Sequence, residues 1–139
     1  MAVLLIASLD TQRKAAALAA ALLQDGGRIT LGDFVATLAA TYADRLRLQV
    51  QVDPLTCDRM ERRGRKSSLL DTVTQPAMWI RLRPRTSAAW SALCAATGLT
   101  GSGLYAAAVS SLWDEVCGPD AERWERTRRA EAAGCAAAA

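Results

Sequence analysis

Residues 77–116 read AMWIRLRPRTSAAWSALCAATGLTGSGLYAAAVSSLWDEV, and this stretch decides the fold. Met78, Ile80 and Leu82 alternate with Trp79, Arg81 and Arg83, the period of a strand with one apolar face. Thr86 or Ser87 can cap a helix that runs through Thr97, with Trp90, Leu93 and Cys94 on its apolar side. Gly98 stops it. Thr100-Gly-Ser-Gly103 opens a second helix, in which Leu104, Tyr105, Ala108, Val109, Leu112, Trp113 and Val116 keep helical spacing. Gly118-Pro119 is a firm stop.

The same order stands at the other end of the chain. Val3 to Leu9 is a short β-like run, and Asp10 or Thr11 can cap a helix from Gln12 to about Gln24, which Gly26-Gly27 ends. Thr30-Leu-Gly-Asp33 is a capping-box variant with Asp in place of Glu. It opens a helix from Leu31 to about Leu46, with Phe34, Val35, Leu38, Tyr42 and Leu46 on one side. Matching Leu9 to Leu82 gives an offset of 73 residues and turns Leu4, Ile6 and Ser8 outward, of which only Ser8 can hydrogen-bond.

Between the two copies lies Arg47 to Gln75. Leu48, Val50 and Val52 alternate with Gln49 and Gln51, as a short strand or a frayed helix end would, and Asp53-Pro54 breaks the pattern. Eight basic residues fall between Arg59 and Arg85, opposed only by Glu61 and Asp71. That stretch is +6 in a chain of net charge +3, an asymmetry expected of a segment facing a polyanion. The bland alternative is a solvated loop.

Composition removes several kinds of chemistry. The 139 residues include no histidine, so no Ser-His or Cys-His pair and no histidine-ligated metal can form. Cys57, Cys94, Cys117 and Cys135 form no C-x-x-C pair, and Cys94 and Cys117 are expected as small buried hydrophobes. No catalytic residue, metal site or cofactor is expected. The apolar start, Met1 to Leu9, is interrupted by charge too early for a signal peptide, and no run approaches the ~20 apolar residues of a membrane span. A soluble cytoplasmic protein is the expectation. Alanine fills 29 positions and 15 of the 17 basic residues are arginine, so the core must be lean and its helices close together.

The segment Ala77 to about Val116 resembles the ribbon–helix–helix family of Arc, MetJ and CopG type. The strand alternation, the Gly98 turn, the Thr100-x-Ser102 helix opening and the Leu104/Tyr105/Ala108/Val109 core fall in that family's register without a gap. Val3 to about Tyr42 matches less closely, through Thr30-x-Gly32-Asp33-Phe34-Val35; its first helix is longer and its strand departs from the pattern. The resemblance implies a mostly α fold with a two-stranded antiparallel β-ribbon, a tandem ribbon–helix–helix single-chain pseudo-dimer. Its parts would be a first copy over 1–46, a basic linker over 47–76, a second copy over 77–118 and a charged, alanine-rich tail over 119–139. The two copies would form one compact domain. By architecture more than by motif residues, this is similar to the tandem type that assists T-DNA border processing in Agrobacterium.

The resemblance also implies double-stranded DNA as partner. A two-stranded ribbon fits the major groove, so Trp79, Arg81 and Arg83 would meet base edges, with Arg81 bidentate to guanine. Trp79 could pack on a thymine methyl or a sugar edge, or be covered by protein. Thr30, Leu31 and Gly32, with Thr100, Gly101 and Ser102, would grip phosphates at helix N-termini. Plain N-capping by Thr30 and Thr100 is compatible with that role. Arg59, Arg62, Arg63, Arg65 and Lys66 would add salt-dependent phosphate contacts. Modest sequence specificity is expected, in an accessory factor for DNA processing and transfer that works with a relaxase, or in a transcriptional regulator. The alternatives are an antitoxin-type repressor with a toxin-like partner and a protein-interaction module.

Overall fold

The two strands, one at the start of the sequence and one in its middle, pair with each other. In the computed structural model, described over residues 2–23, 30–54 and 69–117, β1 (Ala2–Ile6) pairs antiparallel with β2 (Ala77–Arg81) as a two-stranded sheet. Leu5 stands opposite Met78 and Val3 opposite Ile80, so these four apolar residues share the inner face. A two-stranded ribbon is marginal alone in water. The described residues also form five helices, α1 (Leu9–Leu23), α2 (Leu31–Arg45), α3 (Leu69–Val73), α4 (Pro84–Thr97) and α5 (Gly101–Cys117), of which α5 packs on β1 and α2 on β2.

The packing interleaves the two halves of the chain. α5 lies against α1, α2, α4 and β1, while α2 also touches α4 and β2. Leu5, Leu18, Phe34, Leu38, Met78, Leu93, Tyr105, Val109 and Leu112 fill one continuous core. Ala15, Ala19, Ala39, Ala43 and Ala108 are all buried, and small side chains at such contacts let helix axes approach closely. Arg45 bonds Glu115 at 3.1 Å, tying the end of α2 to α5.

Several helix ends follow the sequence and several do not. Thr30 and Asp33 form the expected capping box, Thr100 accepts from the Gly103 N–H at 3.1 Å, and Gly98 ends α4 with φ +72°. The first strand, however, stops at Ile6 and does not reach Leu9. Ser8 is the reason: its hydroxyl accepts from the Thr11 N–H at 3.2 Å and its carbonyl from the Gln12 N–H at 2.9 Å. Ser8 therefore caps α1, in place of Asp10 or Thr11, and is no outward strand residue. Leu9 opens the helix at 60% exposure, whereas Leu82, the residue expected to match it, is buried.

Neither Thr86 nor Ser87 caps α4. Pro84 takes the first helical position after Arg83, which gives no side-chain cap. The cap comes instead from 33 residues away, as the Asp53 carboxylate accepts from the Thr86 N–H at 3.0 Å and the Thr86 hydroxyl at 3.2 Å. The middle of the chain also holds α3, a five-residue turn whose Leu69 and Val73 are buried against α1 and α2. Leu48, Val50 and Val52 form neither strand nor helix. α2 ends in a Schellman motif, with the Leu48 N–H on the Ala43 carbonyl, the Arg47 N–H on the Asp44 carbonyl, and Arg47 at φ +57°. Cys94 is half-buried, and burial pushes its thiol pKa up. Gly26-Gly27 and the 119–139 tail lie outside the described residues.

Candidate nucleic-acid interface

The pleat sends every second side chain of the ribbon outward. Three rungs make that outer face: Ala2 across from Arg81, Leu4 from Trp79, and Ile6 from Ala77. Trp79 is 71% exposed and Ile6 60%, so among the described residues neither is covered. Leu4 is less open, at 38%, with the indole standing opposite. Arg81 is the one charged side chain on these three rungs. Arg83 lies past the strand's end, at the cap position of α4, and its Nη2 is 3.5 Å from Asp33 Oδ1. It therefore stands two residues beyond the end of β2, beside the ribbon face.

A helix N-terminus stands at each outer edge of the ribbon. The Ala7 N–H donates to the Pro76 carbonyl at 2.9 Å. By antiparallel alternation the Ile6 N–H then points away from β2. It donates to Ser102 Oγ at 2.8 Å, in the first turn of α5. A β-carbon at Gly101 would come within 3.7 Å of Val3 Cγ1, so this helix starts directly against the strand. Along the other edge, Thr30, Leu31 and Gly32 share an open cleft of about 600 Å³ with Trp79, Arg81 and Arg83, and Asp33, Asp53 and Thr86 also line it. The structure thus brings two sequence-selected groups, the β2 side chains and the α2 opening, around one concavity.

The two helix starts differ electrostatically. Asp33 is buried, accepts from the Thr30 N–H at 3.4 Å and faces Arg83, so α2 carries its own anion at its positive dipole end. The first turn of α5 has no acidic residue. The start of α5 is therefore the more favourable of the two for an anion, by the absence of a carboxylate in its first turn. The Thr86 backbone N–H chiefly holds the Asp53 carboxyl below the usual carboxylate range, with the Thr86 hydroxyl and the Arg83 charge adding to it.

Asp53 is the residue that sequence reasoning missed. Its signal was indirect: Arg83 is a poor N-cap, so the first-turn N–H groups that follow Pro84 call for an acceptor from elsewhere. Arg59, Arg62, Arg63, Arg65 and Lys66 lie outside the described residues. Among the described residues no group of three Cys, Asp or Glu could hold a metal ion, and no single helix is long and apolar enough to cross a membrane. Comparison of the chain with family models, curated proteins and solved structures finds no match.

Proposed function

We propose that this chain binds double-stranded DNA as a tandem ribbon–helix–helix pseudo-dimer, with β1 and β2 in the major groove. The observation that carries this is the pairing of two strands distant in sequence, β1 near the start and β2 mid-chain, into one ribbon flanked by a helix N-terminus on each edge. A two-stranded ribbon has the width to enter the major groove, and helix N-termini on either side can take the phosphates that border it. The interleaved packing, in which α1 and β1 lie on α5 while α4 and β2 lie on α2, supports a paired arrangement of two β-α-α units.

In this arrangement Arg81 donates to a guanine edge, and Thr100, Gly101 and Ser102 hold a phosphate more firmly than Thr30, Leu31 and Gly32. Arg83 acts from beside the ribbon, and Arg59, Arg62, Arg63, Arg65 and Lys66 contribute further phosphate contacts. With one charged side chain on the three rungs, affinity is governed by the backbone and specificity is modest. Such a protein serves in the cytoplasm as an accessory factor for DNA processing or transfer beside a relaxase, or as a transcriptional regulator. The chain itself performs no chemistry.

Fluorescence anisotropy on several duplexes across a salt series tests this. Binding should weaken steeply with salt, and duplexes should differ by less than the ~10³-fold that marks the low end of specific binders. Absence of binding at low salt would overturn it. The apolar character of Leu4, Ile6 and Trp79 favours a second reading, a protein-docking face, because exposed apolar clusters mark interaction surfaces.

A further inference from the structure

We propose that the β1 half of the ribbon recognises thymine C5-methyl groups through Leu4 and Ile6. This rests on the duplex-DNA reading and specifies what that surface reads. The outward positions of β1 are Ala2, Leu4 and Ile6, none with a side-chain donor or acceptor. An apolar side chain pressed on a base edge strips water from whatever polar group lies there and returns no hydrogen bond. The thymine methyl is the one apolar group on the major-groove edge, whereas cytosine presents an amino donor near the same place. Leu4 and Ile6 therefore discriminate for thymine and against cytosine.

Exposure selects Ile6 as the principal contact. Its cross-strand neighbour is Ala77, whose single methyl leaves the isoleucine 60% exposed, while Trp79 stands opposite Leu4. Charge selects DNA over a second copy of the chain as the occupant. The outer face carries Arg81 and no acidic residue, with Arg83 and Arg85 just beyond. Stacking two such faces would bury Arg81 without an anion from either ribbon, whereas a polyanion satisfies it. Strand addition is disfavoured too, because Ser102 already accepts from the Ile6 N–H at the free edge of β1. Arg81 and Ile6 lie two rungs apart, ~14 Å along the strands. That places the favoured thymine roughly four base steps, at ~3.4 Å each, from the guanine that Arg81 contacts.

The test compares a mixed-sequence duplex two helical turns long with its twin carrying uracil for every thymine, which removes the methyl and leaves the pairing groups unchanged. The full chain should bind the uracil duplex about fourfold more weakly per methyl contacted, the scale of one buried methyl group. Replacing cytosine by 5-methylcytosine should strengthen binding. Ile6→Ala, at an exposed position outside the core, should shrink the difference by about one methyl's worth, and Leu4→Ala combined with it should abolish the difference, while the salt dependence stays unchanged. Equal affinity for both duplexes, with binding itself intact, overturns the thymine inference alone. No binding to either duplex, or a dimer in solution that Ile6→Ala dissociates, overturns the inference together with the DNA reading beneath it.

Discussion

The backbone N–H of Ile6 donates to the hydroxyl of Ser102 at 2.8 Å, so the first turn of α5 is fastened to the outer edge of β1. This hydroxyl does structural work at a position first selected as a phosphate ligand. Ser102→Ala should destabilise the chain by about 1 kcal/mol, the usual worth of one such bond. Amide exchange at Ile6 should quicken more than at Leu5, whose rung lies within the ladder. Ser102→Thr keeps the hydroxyl and should restore both. Unchanged exchange in the alanine variant would show that the bond contributes nothing.

Much of this was legible in advance, because it rests on period and on caps. The alternation in 78–82 and the helical spacing of Leu104, Tyr105, Ala108 and Val109 gave elements within a few residues of those observed. Thr30, Asp33, Gly98 and Thr100 cap locally, through atoms three or four residues away, and a local sequence window contains all that is needed. Asp53 was illegible for the opposite reason, since its partner Thr86 is distant in sequence. Ser8 was misassigned because alternation and capping compete for the same serine, and the cap wins once Thr11 and Gln12 turn back toward it. α3 is too short for any period to show.

Arg47 occupies the left-handed position that ends α2, with φ +57°. For a residue with a β-carbon this conformation costs roughly 1–2 kcal/mol, and glycine avoids it at some cost in unfolded-chain entropy. Arg47→Gly should therefore stabilise the chain by about 0.5–1 kcal/mol, read as a rise of a few degrees in Tm. Arg47→Ala keeps the strain and should give no such rise. Equal gains from both variants would point away from backbone conformation.

Asp53 caps α4 from outside that helix, and its carboxyl pKa lies below the ordinary value. A depressed folded-state pKa adds stability above the unfolded value, and that stability is lost as pH falls through the folded one. Asp53→Ala should lower stability at neutral pH. The gap between wild type and variant should then narrow below about pH 4, where the unfolded carboxylate also protonates. Chemical denaturation at several pH values measures this, and a gap constant down to the folded pKa would contradict it.

On the proposed DNA-binding function, Arg81 and Arg83 should make two separable contributions. Arg81 stands on the outer face of the ribbon, and Arg81→Ala should flatten sequence preference at one base position by ~1–3 kcal/mol. Arg83, half-exposed and beside Asp33, should act on all duplexes alike. Arg83→Ala should weaken binding uniformly and lower the salt slope. Competition binding with duplexes differing at single positions distinguishes the two.

The central claim is that the β1–β2 ribbon and its two flanking helix starts form a DNA-binding surface. Titrating the isotope-labelled chain with a duplex and following its amide resonances tests this most directly. The largest shifts should fall on Leu4, Ile6, Trp79 and Arg81, on Leu31 and Gly32, and on Gly101 and Ser102, with the α5 pair moving more than the α2 pair. Shifts centred on α1 and α3 with the ribbon unmoved, or no shifts at low salt, would contradict it.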